Sequence, residues 1–255
     1  MVDPQRFVNT LRGLPCIGGA ISKDIKQAVL PFLDELDESA EKVGAVNTVI
    51  VYGNKLKGYN TDLMGFRTAI SNGIERSGVP VNCAVVYGYG GVTAVVVSVL
   101  TSLGIKVYIS GRNLELAKKK VTEFSSRSNI RENSVFLWSE RVEADLFINA
   151  APVTDRPLDE ATNFLAALSP AKVCFDHEMP GKYLSEYCNL HQKFHISGLD
   201  MYYPQMYAQW SLFLKSAIDI ESFDHDSFTE ALPSLIKKAE DSVKLASSKP
   251  LPPPP

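Results

Sequence analysis

The sequence predicts an α/β fold in which a doubly wound parallel sheet is joined to a smaller α/β domain and completed by C-terminal helices. Three features support this prediction. Short apolar runs alternate with helical patterns from Asn82 to Ile196, which is typical of parallel strands joined by crossover helices. The glycine-rich segment Gly88–Gly91 joins one such run to a helix. Ahead of it, two apolar runs flank Gly53–Asn54 and predict a hairpin.

The predicted elements divide the chain into four parts. Loop-forming residues at 77–80 separate the hairpin region from the parallel sheet, and four prolines end the chain. We therefore expect a substrate-binding domain at 1–78 and a nucleotide-binding domain at 79–198. Helices at 199–247 should return to the first domain, and 248–255 should form a proline-rich tail.

The composition excludes several classes of protein. With 255 residues, 45% hydrophobic content and a net charge of −3, the chain has no broad basic surface for nucleic acid. No apolar run reaches membrane length, and Met1–Pro4 lacks the features of a secretion signal. The four cysteines lack the paired spacing of a metal site. We expect a cytoplasmic monomer or homodimer that binds neither metal, nucleic acid nor membrane.

The first region alternates helical and extended patterns. Residues 5–13 have helical character, and the glycine-bordered segment Cys16–Ser22 predicts a short strand. A helix begins near Lys23. A second helix is predicted over Pro31–Val43, because its apolar residues follow helical spacing, and Gly44 ends it.

The predicted hairpin brings polar side chains together. Its strands are Ala45–Tyr52 and Lys55–Asn60, and a helix over Leu63–Asn72 leads away from it. Because the two strands run side by side, we expect Asn47 to lie within reach of Asn60–Asp62.

The glycine segment predicts a site for a phosphate group in a Rossmann-type domain. Gly88 allows a tight turn, Gly90 lets the backbone approach a pyrophosphate, and the helix that follows offers free N–H groups. The strand Lys106–Ser110 follows at the distance expected of a dinucleotide fold. Thr93 occupies the position where a third small residue is usual, and a purely structural turn remains the alternative.

The end of that second strand indicates which dinucleotide binds. Sites for NAD usually place an acid there to hold the ribose 2′-hydroxyl, whereas this chain has Arg112. A guanidinium can pair with a 2′-phosphate, so the sequence favours NADP. A solvated surface arginine is the alternative.

The rest of the chain continues the alternation of strands and helices. The predicted elements are a helix at Leu114–Phe124, strands at Val135–Trp138 and Asp145–Ile148, a helix at Pro157–Leu168, a strand at Lys172–Asp176, a helix at Tyr183–His191, a strand at Phe194–Ile196, and helices at Leu199–Lys215 and Phe228–Leu245.

Five motifs, in order along nearly the whole chain, closely resemble those of the shikimate dehydrogenase family. They are Gly44–Thr48 with Gly58–Asp62, Gly88–Gly91, Gly111–Asn113, Asn149–Pro152, and Gly198–Met201 followed by Gln205. The resemblance implies NADP-dependent, reversible reduction of 3-dehydroshikimate to shikimate. It also implies that the cofactor contacts Gly88, Tyr89, Gly90, Gly91, Arg112, Asn113, Asn149, Ala150 and Gly198.

The same resemblance assigns roles in the reaction. Lys26 is implied as the catalytic lysine and Asp62 as its partner carboxylate, since hydride arriving at a ketone carbon builds negative charge that a lysine can protonate. The implied contacts with the substrate come from Ser22, Asn47, Thr61 and Gln205. Without the resemblance, Lys26 is an early helix lysine and Asp62 an N-cap.

The chain departs from the family in three places. The family begins with a Ser-x-Ser segment that holds the substrate carboxylate, and we expect this chain to start after the place where that segment belongs. Where the family has Gly-x-Asn-Val-Thr-x-Pro-x-Lys, the segment Gly18–Lys26 loses the asparagine and the proline but keeps a hydroxyl at Ser22 and the lysine. The tyrosine usual after the strand ending at Asp176 is replaced within His177–Pro180. An enzyme is therefore the first hypothesis; a non-catalytic module that binds a pathway metabolite or a partner protein, and a fragment of a larger enzyme, remain alternatives.

Overall fold

The described part of the chain is built around two β-sheets, one of four strands and one of six. The computed structural model describes residues 3–22, 25–111, 113–127, 135–137, 143–151, 167–179 and 182–217. The predicted helices at Pro157–Leu168 and Phe228–Leu245 lie largely or wholly outside these residues, as does the proline-rich tail.

The helices and strands follow the predicted alternation. In chain order they are α1 (Pro4–Gly13), β1 (Gly18–Ala20), α2 (Ile25–Ala28), a 3₁₀ turn (Leu30–Phe32), β2 (Glu35–Leu36), α3 (Glu38–Val43), β3 (Thr48–Tyr52), β4 (Lys55–Tyr59), α4 (Asp62–Ser77), β5 (Cys83–Tyr87), α5 (Thr93–Ser102), β6 (Lys106–Ser110), α6 (Leu114–Arg127), β7 (Val135–Leu137), β8 (Leu146–Asn149), β9 (Val173–Asp176), α7 (Lys182–Leu190), β10 (Phe194–Ile196) and α8 (Gly198–Ala217).

The six-stranded sheet confirms the predicted doubly wound, parallel architecture. Its strand order is β10-β9-β8-β5-β6-β7, and every neighbouring pair is parallel. This order reverses direction between β5 and β8, where the carboxyl ends of the strands open a crevice. The central strands are buried on both faces, as shown by the fully inaccessible Val85, Val86, Phe147 and Ile148. Ligands of such sheets bind at this edge.

The four-stranded sheet contains the predicted hairpin. Its order is β1-β3-β4-β2, and β3 pairs antiparallel with β4 so that Thr48 faces Tyr59. Gly53, with φ of 58°, makes the turn that a residue with a Cβ rarely adopts. The hairpin therefore places the residue before β3 and the residues after β4 side by side.

The predicted helix over Pro31–Val43 is wrong, because the chain breaks there into a 3₁₀ turn, a short strand and a helix. Two aspartates make the break. Asp34 Oδ2 accepts a hydrogen bond from Leu56 N at 2.7 Å, and Asp37 Oδ1 accepts from Ser39 N at 3.0 Å and so caps α3. Such side chains compete with helical backbone bonds, and the freed segment pairs with β4.

Helix α8 packs against α4. Its backbone lies so close to α4 that a Cβ on Gly65 would be 2.6 Å from both Gln205 Cβ and Met201 O. Phe66 on α4 also meets Phe175 of the six-stranded sheet edge to face, with ring centroids 5.1 Å apart. Helix α4 thus packs between α8 and the parallel sheet.

Because the contact between α4 and α8 leaves no room for a Cβ, we expect Gly65→Ala to destabilise the protein by about 1–3 kcal/mol. The better helix propensity of alanine offsets only about 1 kcal/mol of the strain. Gly13→Ala, at the end of α1 with nothing within 4 Å of its Cβ position, is the control. Urea unfolding measures both. Equal stability of the two variants would contradict the tight helix contact.

The described residues up to Ser216 form one compact unit that holds both sheets. The proposed boundary near residue 78 stays a prediction, since Val43 and Phe66 share a hydrophobic core with Val86 and Phe175. Within the described ranges, no helix combines the length and the apolar content needed to cross a membrane.

Candidate functional site

A lysine and a carboxylate lie in contact where α2 meets the start of α4. Lys26 Nζ is 2.7 Å from Asp62 Oδ2, and the two side chains are 26% and 12% exposed. Helix α2 is held there because Lys26 O accepts a hydrogen bond from Val46 N at 2.8 Å. The sequence alternative for Asp62 does not hold, since Thr61 is the N-cap residue and Asp62 the first helical residue.

Asn47 links this pair to the hairpin. Its Nδ2 donates to Asp62 Oδ1 and to Thr61 Oγ1, each at 2.9 Å. Its Oδ1 accepts from Thr61 N at 2.9 Å and from Thr48 Oγ1 at 2.8 Å. Asn47 is 2% exposed, so nearly all its hydrogen-bonding capacity is used inside the protein. The amide fixes the orientation of the Asp62 carboxylate.

Two glutamines from α8 complete the network. Gln205 Nε2 donates to Thr61 Oγ1 at 3.0 Å, so Gln205 lies next to the catalytic candidates. One turn later, Gln209 Nε2 donates to Thr48 Oγ1 at 2.9 Å and to Asn47 O at 3.2 Å. Of the predicted substrate residues, Ser22 differs, because it is exposed in the loop two residues after β1.

The glycine segment forms a cradle at the carboxyl end of β5. Gly88 has φ of 123°, and a Cβ there would lie 2.8 Å from Ala150 C in the loop after β8. The close approach of this loop therefore requires a glycine at position 88. Gly90 and Gly91 are exposed, with nothing within 4 Å of their Cβ positions. They precede α5, a helix of 10 residues whose N-terminus attracts anions. The cradle therefore fits a pyrophosphate.

The loop after β6 closes one side of this cradle. The ring of Tyr89 packs over Gly111, where a Cβ would be 2.5 Å from Tyr89 Cε1. Asn113 Oδ1 accepts from Leu116 N at 3.0 Å and begins α6. Arg112, the predicted partner of a 2′-phosphate, lies outside the described residues.

The ends of β8 and β9 form the opposite side. Asn149 Nδ2 donates to Asp176 Oδ1 at 2.9 Å, and Asn149 Oδ1 accepts from Ala151 N at 3.2 Å. The side chain of Asn149 is thus used within the protein, leaving the backbone around Ala150 to face the cradle. Burial raises the pKa of Asp176, which is fully inaccessible. Gly198 packs against this edge, because a Cβ at this position would lie 2.9 Å from Asp176 O.

His177 follows β9 at the same edge of the sheet. Its N–H donates to Asn149 O at 3.0 Å, while its carbonyl lies against Gly198 at the start of α8. The residue as a whole is exposed, and desolvation of the imidazole by the surrounding protein lowers the pKa of His177. The charges of Asp62 and Lys26 act on the same ring.

Sequence reasoning missed Gln209, Thr48 and His177 as members of this site. Gln209 follows Gln205 by four residues on a helix, and this spacing places both on one face. His177 follows directly after a buried parallel strand, where functional residues cluster. Thr48 carried no signal, because a threonine in a strand is common.

A family model and a curated relative match the chain. The model of the shikimate dehydrogenase substrate-binding domain matches residues 3–49. The NADP(+) shikimate dehydrogenase of Desulforamulus reducens is 35% identical over 174 residues, covering 64% of this chain and 59% of the relative. The chain spans about three fifths of the length of the curated relatives it matches.

Solved structures agree with the observed fold. Quinate dehydrogenase from Corynebacterium glutamicum in complex with NAD is 26% identical, with a TM-score of 0.71, covering 83% of this chain and 77% of its own. Shikimate 5-dehydrogenase from Thermus thermophilus in complex with NADP(H) and shikimate is 24% identical, with a TM-score of 0.64, covering 82% of this chain and 77% of its own.

Proposed function

We propose that this chain, a relative of the shikimate dehydrogenases, is an NADP-dependent oxidoreductase that reversibly reduces 3-dehydroshikimate to shikimate. The observation that carries the proposal is the contact of 2.7 Å between Lys26 Nζ and Asp62 Oδ2. This pair lies in a network with Asn47, Thr61 and Gln205, two of which are buried. The four cysteines have free thiols, which fits the proposed cytoplasmic location.

Lys26 and Asp62 act on one proton in this proposal. When the ketone is reduced, its oxygen becomes an alkoxide, and Lys26 stabilises and protonates it. In the reverse direction, Lys26 takes the hydroxyl proton. Asp62 positions the ammonium group and balances its charge, and Asn47 keeps the carboxylate from rotating.

Asn47, Thr61 and Gln205 suit the ring hydroxyls of a polyol acid. Amide and hydroxyl groups both donate and accept hydrogen bonds, and a polar site rejects ligands that leave its groups unpaired. Ser22, exposed in the loop after β1, is proposed as a further contact. Gln209 donates a hydrogen bond to Thr48 Oγ1 and so supports Asn47, which accepts from the same hydroxyl.

The cradle at Gly88–Gly91 would hold the pyrophosphate of the dinucleotide, with Tyr89, Ala150 and Gly198 around it. Asn113 and Asn149 shape the flanking loops through their hydrogen bonds to Leu116 N and Ala151 N. NADP supplies or accepts the hydride when bound. The residues of the cradle would orient the cofactor toward Lys26 and Asp62.

Replacing Arg112 with alanine should weaken NADP binding by roughly 10- to 100-fold and leave NAD binding nearly unchanged, because charge-assisted hydrogen bonds to the 2′-phosphate are lost. Titration of both cofactors by protein fluorescence measures the difference. Lys118→Ala, a neighbouring cation exposed on α6, is the control. Equal losses for NADP and NAD would contradict the proposed preference.

The test of function is an initial-rate assay of the purified chain with NADP and either shikimate or quinate. We expect NADPH to accumulate, with the higher kcat/KM for shikimate. Saturable binding of shikimate without turnover would favour a non-catalytic binding module. Absence of both turnover and binding would overturn the proposed function.

A further inference from the structure

We propose that Asp176 is a positioning residue for the cofactor, because through Asn149 it holds the loop Asn149–Ala151 against the glycine cradle. The inference rests on the proposed function and adds to it a buried carboxyl that takes no part in the proposed proton transfer. Asp176 ends β9 and is fully inaccessible to solvent. Its effect on the cofactor is indirect and passes through the loop.

One oxygen of Asp176 joins two loops at the carboxyl edge of the parallel sheet. Its Oδ1 accepts from Asn149 Nδ2 at 2.9 Å and from Glu178 N at 3.1 Å. Asn149 Oδ1 in turn accepts from Ala151 N at 3.2 Å. These bonds tie the loop after β8 to the loop after β9, at the edge where ligands of such sheets bind.

The loop held in this way forms one wall of the cradle. A Cβ on Gly88 would lie 2.8 Å from both the carbonyl carbon and the carbonyl oxygen of Ala150. The start of the loop is fixed by the backbone, since Ala150 N donates to Tyr87 O at 2.8 Å. At Ala151 N the acceptor is instead the side chain of Asn149. The orientation of Asn149 therefore sets how closely the loop approaches the space for a pyrophosphate.

The second oxygen of Asp176 indicates that stability alone does not account for this side chain. Its Oδ2 is buried and finds no donor among the residues that the structure describes. A buried polar atom without a partner lowers stability. Burial also raises the pKa of Asp176, and buried carboxyls with raised pKa values cluster at functional sites.

Fluorescence titration of the purified chain with NADP and with NAD tests the inference. We expect Asp176→Ala to raise both Kd values roughly 10-fold, as loss of a buried hydrogen bond does. The two cofactors should weaken equally, because the loop after β8 lies on the opposite side of the cradle from the loop that carries Arg112. Asp176→Asn keeps an acceptor oxygen for Asn149 and should restore most of the affinity.

Asn149→Ala tests whether Asp176 acts through Asn149. This variant breaks the same hydrogen-bonded chain, so the double variant with Asp176→Ala should bind NADP no more weakly than either single variant. Hydrogen exchange of the cofactor-free protein gives a local readout. In Asp176→Ala, the amides of Ala151 and Glu178 should exchange faster than in the unaltered chain, and Asp176→Asn should restore their protection.

Asp145→Ala is the matched control, because Asp145 Oδ2 accepts from Asn82 N at 2.9 Å and from Cys83 N at 3.1 Å at the amino end of the same sheet. Urea unfolding should show a loss of stability in this variant, while its Kd for NADP stays unchanged. An equal rise in Kd for Asp145→Ala and Asp176→Ala would mean that cofactor affinity follows general stability, and would overturn the inference.

The remaining outcomes separate this inference from the proposed function. If Asp176→Ala and Asn149→Ala bind NADP as tightly as the unaltered chain, or if Asp176→Asn restores nothing, the inference is wrong while the proposed function stands. If Asp176→Ala does not fold, the Kd of Asn149→Ala decides the same question. If the unaltered chain binds neither NADP nor NAD, the proposed function itself fails, and this inference with it.

Discussion

Lys26→Ala and Asp62→Asn are each expected to lower kcat by roughly 10²- to 10⁴-fold, the contribution typical of a positioned acid or base. Their side chains meet at 2.7 Å, so each variant removes one half of a single proton-transfer unit. NADP binding should survive in both, because the glycine cradle lies at the other sheet. Steady-state kinetics with shikimate and cofactor titration measure the two effects.

The effects of the two substitutions should not add. Groups that act on one proton fail together, so the double variant should be little worse than either single one. Lys182→Ala, which removes a lysine that is 73% exposed on α7, is the control and should retain full activity. Multiplicative losses in the double variant would mean that Lys26 and Asp62 act in separate steps.

Asn47→Ala should destabilise the fold by about 2–4 kcal/mol, because it leaves several buried polar groups without a hydrogen-bond partner. Thr61 N and Thr48 Oγ1 lose their acceptor, while Asp62 Oδ1 loses a donor. Urea denaturation reports the change as a lower midpoint with an unchanged slope. We also expect kcat to fall, since the carboxylate of Asp62 is released.

Asn72→Ala is the matched control for this substitution, because Asn72 is exposed on α4. Its stability should stay within about 0.5 kcal/mol of the unaltered protein, as surface substitutions usually do. A loss for Asn47→Ala no larger than for Asn72→Ala would show that the network contributes little to the hairpin.

The parallel sheet could be predicted because its signals are local. Buried strands such as β5 and β8 are continuous apolar runs, and the helices between them follow helical spacing. The hairpin could be predicted equally well, since Gly53 marks its turn and the two strands that the turn joins pair with each other. The proximity of Asn47 and Asp62 followed directly from that pairing.

Features that depend on distant partners could not be predicted in the same way. The segment Pro31–Val43 has helical spacing, yet Asp34 and Asp37 bond to Leu56 and Ser39 and make a short strand pair with β4. Tertiary contact overrides weak local propensity in such a case. Gln209 is similar, because its role depends on the return of α8 to a strand 161 positions away.

The most direct test of the central claim follows a single atom. Shikimate carrying deuterium on the carbon that is oxidised is incubated with NADP and the purified chain, and the cofactor is analysed by mass spectrometry. We predict that the deuterium appears in the NADPH formed, and that Lys26→Ala shows far less of it at equal time. NADPH without deuterium, or no label transfer from the unaltered chain at saturating shikimate, would contradict hydride transfer at this site.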